Sequence, residues 1–357
     1  MKRIIIVIIS YFFFLVGFAQ MYVWQNGTLI GEYTAKEVDS VKFSKSQLKI
    51  DTFRTEATIG GLAKSFSVAE GSSVFFSQGN LCYKPSTKEW AFASSQTSRV
   101  GNDNSAISED YNGWIDLFGW GTSGYNDIVP YLSVQDYTQY ANIQNIAETN
   151  YDWGVYNKIS NGGNEAGLWR TLTAEEWMYL FFSRHNADSL FAFASVNKVN
   201  GLIILPDDWV LPEGLDFIPS VKRGLFAEGK YFWNMASDNY EHNIYDKDQW
   251  AKMEAAGAVF LPASGYRKGT EVEEFNEYGA YWTASGRADD FAYRCIFYSS
   301  ILSPGGSNIT YFYGYSVRLV QDAIKTIQPN GEMHIFKSNS EVDVYFVNEV
   351  DSITYRK

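Results

Sequence analysis

The chain has 357 residues, with 29 Lys plus Arg against 41 Asp plus Glu and a net charge of −12. A surface this acidic repels phosphates and anionic lipid headgroups, and no basic stripe reverses the balance, so nucleic acid is excluded as a partner class. The length allows one large core or two smaller ones. Aromatic content is high, with 11 Trp, 25 Tyr and 25 Phe. Cross-strand pairs in a β-rich core absorb most of these rings, and the remainder points to a recognition surface.

The first element is a signal peptide over residues 1–19. Met1-Lys2-Arg3 is charged, Ile4 to Val16 is apolar, and Gly17-Phe18-Ala19 forms a small-x-small cleavage site before Gln20. The apolar run is shorter than the roughly 20 residues needed to span a bilayer. No cysteine follows it to receive lipid. The expected location is therefore secreted or at the outer surface, with no integral membrane segment. A repeat comes next, over 20–45 and 333–357: residues 21–45 match residues 333–357 without a gap, Met333 following Met21 by 312 positions. The copies share Tyr33 with Tyr345 and Glu37-Val38-Asp39-Ser40 with Glu349-Val350-Asp351-Ser352. Each alternates apolar and polar residues around a turn, at Asn26-Gly27 or Ser338-Asn339. So small a unit cannot hold a core alone. The copies either pair with each other, clamp the central body, or offer strand edges to a partner, self-association included.

Residues 46–61 and 323–332 read as polar linkers around a central domain over 62–322. That domain opens with strand alternation from Ser65 to Phe76 and a hairpin from Leu81 to Phe92 that turns at Lys84-Pro85-Ser86. A long Gly-, Asn- and Trp-rich stretch follows. Thr173 with Glu176 is a capping box for a helix from Ala174 to Ser183 that buries Trp177, Leu180 and Phe181. Asp246 with Gln249 starts a second helix, Lys247 to Ala256, which Gly257 ends. Strands then read at Ala258 to Pro262, Ala280 to Thr283, Phe291 to Tyr298, Thr310 to Tyr313 and Ser316 to Val320. Two main helices and many short strands predict an α+β domain. Cys82 and Cys295 both lie in strand-like runs. Export permits a disulfide, and buried free thiols are the simpler reading.

The run Trp169-Arg170-Thr171-Leu172-Thr173-Ala174-Glu175-Glu176-Trp177-Met178-Tyr179, with the late Gly314-Tyr315-Ser316-Val317-Arg318-Leu319-Val320, resembles the formylglycine-generating-enzyme-like branch of C-type-lectin-like folds. Gly113 to Thr122, Tyr151-Asp152-Trp153-Gly154, Asn161-Gly162-Gly163 and Gly257 to Arg267 are similar to exported proteins of the Fibrobacter succinogenes major paralogous domain type. The similarity covers about Ser65 to Gln321. It implies a C-type-lectin-like central domain whose long loops bind sugars or proteins, flanked here by two short β repeats. It also implies fold-defining roles for Trp169, Arg170, Glu176, Trp177 and Arg318, with Arg170 or Arg318 pairing Glu176 inside the core. The enzyme branch oxidises a peptide cysteine with a copper-binding cysteine pair near its end, where only Cys295 lies in this chain.

Other chemistry is sparse. His185, His242 and His334 have no second ligand at metal spacing. Gly224 to Lys230 imitates a phosphate loop until Tyr231 takes the required Ser/Thr position. No nucleophile elbow occurs. No catalytic residue, metal or cofactor is therefore expected. The function expected is non-catalytic binding of a glycan or protein ligand outside the cell. The alternatives are a formylglycine-type or other extracytoplasmic enzyme, and a structural surface component. The candidate ligand residues are Arg287, Asp289, Asp290, Tyr293, Tyr298, Asn308, Tyr311 and Tyr313, a mix suited to stacking on sugar faces and bonding hydroxyls. A second candidate group is Trp114, Trp120, Tyr125 and Trp153 with Asn161 and Asn164.

Overall fold

The computed structural model describes residues 20–25, 28–44, 49–105, 108–131, 145–220, 223–225, 233–234, 239–287, 291–298, 301–311, 313–327, 332–346 and 352–356. The signal-peptide reading falls on residues outside this set. The chain is strand-rich, with three helices among the described residues, and divides into a terminal unit, drawn from residues up to 50 and from 327 onward, and a central unit over 51–326. No described helix is long and apolar enough to cross a membrane.

The terminal unit is built by exchange between the two repeats. Strand Gln20–Gln25 pairs with its own neighbour Thr28–Thr34 and, on its other side, with Ser352–Arg356 from the far end of the chain. In the same way Glu332–Lys337 pairs with Val342–Phe346 and with Val38–Ser44. Equivalent registers recur: Met21 faces Tyr355 as Met333 faces Phe43, and Val23 faces Ile353 as Ile335 faces Val41. Each repeat thus donates its third strand to complete the other's sheet. The two sheets close on one core of Met21, Val23, Tyr33, Met333 and Ile335. Near the pseudo-twofold, Tyr33 donates to Asp343 at 2.6 Å, so its bond with the equivalent Tyr345 is donated by Tyr345. Pairing of the copies with each other, one of the arrangements left open by the sequence, is present.

The stretches read as polar linkers carry sheet. Lys49–Phe53 lies beside Leu319–Ile327, and the sheet continues through Ser72–Ser77 to Gly61–Ala69. The reason is local: Ile50-Asp51-Thr52-Phe53 and Ile324-Lys325-Thr326-Ile327 alternate and are rich in β-branched residues. Residues 46–48 and 328–331 lie outside the described set.

In the central unit, helix α1 is Trp153–Tyr156, α2 is Ala174–Phe182 and α3 is Lys247–Ala255. Thr173 and Asp246 form the expected capping boxes with Glu176 and Gln249. Gly257 follows α3 at φ +106, a backbone conformation that side chains disfavour. A four-stranded sheet runs in the order Ile244–Tyr245, Phe191–Val196, Val199–Ile204, Val259–Pro262. The hairpin Phe191–Ile204 at its centre is absent from the sequence reading, because both faces are buried and no polar alternation marks it. Its turn residues Asn197 and Lys198 both take positive φ, the two-residue geometry that suits strand twist. The closing strand is Leu319–Ile327 rather than Ser316–Val320, and the strand read at Thr310 to Tyr313 is the end of Ile301–Thr310.

Strands Tyr278–Arg287 and Phe291–Tyr298 separate two cores. Trp282 and Ile296 face a core with Trp90, Trp120, Trp153 and Trp169, while Tyr281, Cys295 and Phe297 face one with Phe66, Phe76, Trp177 and Phe181. Three indoles in the first core deliver their N–H to a carbonyl at 2.7 Å: Trp120 to Thr283, Trp282 to Phe118, and Trp169 to Gly162. This removes the desolvation cost that a buried donor would otherwise carry. The Tyr151-Asp152-Trp153-Gly154 run has a packing cause: a Cβ on Gly154 would lie 2.5 Å from the Trp169 backbone.

The five residues that the resemblance implies as fold-defining have structural partners here. Trp169, Trp177 and Arg318 are buried. Arg170 makes the pair with Glu176 in bidentate form, at 2.8 and 2.6 Å, and bonds Asp322 at 2.8 Å. Because Glu176 also completes the cap of α2, one carboxylate ties the helix start to the closing strand. Arg318 does not pair with Glu176. It donates to Gln96 at 2.8 Å and to the Phe260 carbonyl at 3.3 Å, and burial lowers its pKa to about 10.

Candidate functional site

The candidate ligand residues whose side chains are described do not form one cluster. Asp289 and Asp290 lie outside the described residues, as does the Asn308 side chain. Tyr311 is a core ring, 2% exposed and stacked on Trp120 at 4.7 Å, which removes it from any surface. Tyr293 and Arg294 are successive residues on Phe291–Tyr298, so the strand period of two sends them to opposite faces. Arg287 is exposed at the end of Tyr278–Arg287. Tyr298 and Tyr313 are the two that share a surface, and residues absent from the sequence reading complete it.

That surface begins with a backbone pair. Arg267 and Gly314 exchange N–H to O bonds of 2.9 and 2.8 Å, which holds strand Tyr266–Lys268 against Tyr313-Gly314-Tyr315. Residues i and i+2 of an extended segment point the same way. Tyr313 and Tyr315 accordingly lie nearly parallel, 6.0 Å apart with 7° between ring planes. Tyr266 packs on both, at 5.9 and 6.1 Å, and on Tyr278 at 5.7 Å. Tyr298 extends the row by stacking on Tyr278, to which it is paired across the strands, at 5.1 Å. The Arg294 guanidinium lies 5.0 Å above Tyr315 and 6.0 Å above Tyr278, and it donates to the Tyr315 hydroxyl. Tyr278 and Tyr315 are buried beneath. Tyr266, Tyr298, Tyr313 and Arg294 are half-buried and form the outer layer.

The electrostatics keep Tyr266, Tyr278 and Tyr315 neutral. Burial raises Tyr278 to about 12 and raises Tyr315 further, opposed in each case by Arg294. The Tyr266 hydroxyl is raised first by its 2.6 Å hydrogen bond to Glu273 and then by burial. The face therefore offers flat π surfaces, neutral hydroxyls and one cation held over a ring, a combination that favours stacking and hydrogen bonding over acid–base chemistry. The signal for it in the sequence is the aromatic-Gly-aromatic run Tyr313-Gly314-Tyr315, whose spacing puts two rings on one side.

The second candidate group also separates. Trp120 and Trp153 are core residues. Tyr125 packs edge-on against Tyr151 and Tyr156 at 5.1 and 5.4 Å. Trp114 and Asn161 together line a different surface, a groove beside the hairpin Leu81–Phe92. The cysteines are both free: Cys82 lines that groove, whereas Cys295 belongs to the core beneath α2. Burial raises both thiols, so neither is a ready thiolate. Among the described residues no group of three or more His, Cys, Asp or Glu side chains could hold a metal ion. No family model, curated protein or solved structure matches the chain.

Proposed function

We propose that this is an extracytoplasmic, non-catalytic binding protein with a C-type-lectin-like central unit, and that its tyrosine–arginine face takes a glycan ligand. The observation that carries this reading is the layered cluster itself. Three half-buried tyrosines lie over two buried ones, and Arg294 is fixed among them. A core needs no row of tyrosines at its edge, whereas a sugar ring presents apolar C–H faces to such rings and hydroxyls to their oxygens. Rigid aromatic side chains also lose little conformational freedom on binding. The lectin-like fold is supported by the Arg170–Glu176 pair at the capped start of α2 and by the burial of Trp169, Trp177 and Arg318.

Formylglycine chemistry is the weaker reading, because the two sulfurs it would use occupy separate environments and burial holds both as thiols. The test is a glycan and host-protein array probed with the chain from Gln20 onward and with Tyr298→Ala and Tyr313→Ala variants. Glycan binding that either substitution weakens is expected. Glycan binding untouched by both, or binding to proteins alone, overturns the assignment.

A further inference from the structure

The outer face of the hairpin formed by Leu81–Lys84 and Glu89–Phe92 is unusual in what it lacks. Its inward residues Leu81, Tyr83, Trp90 and Phe92 fill the indole-rich core, whereas the outward pair Cys82 and Ala91 is small, and Ala93 continues the small floor. Loops rise around this floor and leave a groove of about 500 Å³, within the range of small-ligand sites.

The walls are fixed before any ligand arrives. Asn161 clamps the Phe92 backbone, accepting from its N–H at 2.7 Å and donating to its carbonyl at 2.9 Å. Ser160 donates to Glu89 at 2.8 Å. Arg99 lies 4.3 Å over Phe275 and donates through Nη1 to Asn276 at 2.7 Å and to the Ala263 carbonyl at 3.1 Å, and among the described residues Nε and Nη2 have no partner. Asp116 accepts from Val100 N–H at 3.1 Å and Asn104 at 2.7 Å. The indole of Trp114 is half-buried, and among the described residues no acceptor takes its N–H, unlike Trp120, Trp169 and Trp282 in the core.

We infer that this groove is a second, independent binding site, for a single neutral pyranose ring stacked on Trp114 above the Cys82–Ala91 floor. An aromatic wall over a small-residue floor suits the apolar face of a sugar. Glu89, the indole N–H and the free Arg99 nitrogens supply acceptor and donors for hydroxyls. Two carboxyl groups against one guanidinium disfavour phosphate and other anions. Glu89, Arg99 and Asp116 among the lining residues disfavour a purely apolar guest.

Cys82 provides the assay. It is 7% exposed on the groove floor, whereas Cys295 is 0% exposed and reports unfolding. The chain from Gln20 onward is modified at alkaline pH, needed because burial raises the Cys82 thiol, with methyl methanethiosulfonate alone or with glucose, mannose, galactose or N-acetylglucosamine, and modification at each cysteine is followed by mass spectrometry. Inorganic phosphate and cyclohexanol serve as probes of the other ligand classes. At a concentration about ten times its Kd, a bound sugar slows modification of Cys82 about tenfold. Trp114→Ala abolishes that protection while Cys295 stays unmodified, and Tyr298→Ala preserves it, which separates this site from the tyrosine face. If Trp114→Ala exposes Cys295, Glu89→Gln takes its place, with weakened protection expected. Absence of protection by all four sugars, equal protection by phosphate or cyclohexanol, or protection that survives loss of the Trp114 ring overturns the inference.

Discussion

The terminal and central units reach a core by opposite routes. The terminal unit uses one segment twice. Neither copy has enough strand to bury a face, and the third strands are exchanged so that each sheet is completed from the other end of the chain. The central unit joins unlike segments through individual side chains with assigned partners, such as the indoles donating to carbonyls and Arg170 held between Glu176 and Asp322. Stability in the first case belongs to the pairing of two ends, and in the second to single residues.

The largest test of this contrast removes Met333–Lys357. That deletion takes away three strands and two of the five residues of the terminal core, so amide-exchange protection across residues 20–44 is expected to vanish. Protection that survives would mean the exchanged strands do not hold this unit together. In the central unit a single residue has a comparable local effect. Trp177→Ala empties a fully buried site beside Phe76 and Phe181 and is expected to cost about 3–5 kcal/mol in denaturant unfolding.

Asp152 adds a pH-dependent test. It caps α1 and accepts three hydrogen bonds, from Gly154 N–H and from the N–H and hydroxyl of Thr171. Burial nevertheless dominates and raises its pKa from 3.8 to about 6. Because the folded value lies above the unfolded one, the stabilising contribution is complete below about pH 4 and is lost as pH rises through 6. Wild type should therefore lose about 3 kcal/mol relative to Asp152→Asn across that window. Parallel pH profiles would show that Asp152 is not the group responsible. Thr173→Ala removes only the hydroxyl cap of α2, and a loss of about 1 kcal/mol is expected by the same unfolding measurement.

Signals that act within a few residues were legible in the sequence. The two capping boxes and the Leu81–Phe92 hairpin depend on neighbours in sequence, whereas the partner of Glu176 stayed open between Arg170 and Arg318 until the structure placed Arg170 on it. The Phe191–Ile204 hairpin was not, since a strand buried on both faces has no period to read. The tyrosine–arginine face was half legible for a related reason. The stretch from Ser285 to Tyr315 is rich in suitable side chains, but strand alternation separates Tyr293 from Arg294 and packing takes Tyr311 inside. Tyr266 arrives from another part of the chain through the Arg267–Gly314 backbone pair. Likewise Trp114 and Asn161 meet at a groove that Trp120 and Trp153 do not reach.

The smallest expected effect on stability is also the most direct test of function. Tyr298→Ala and Tyr313→Ala remove half-buried rings from the outer layer and should each change unfolding free energy by no more than about 1 kcal/mol. Calorimetric titration of a glycan selected on the array against wild type and the double variant measures what those rings do. A loss of binding of about tenfold or more with the fold retained is the predicted result. An unchanged Kd in the double variant would contradict the assignment of the tyrosine–arginine face as the ligand site.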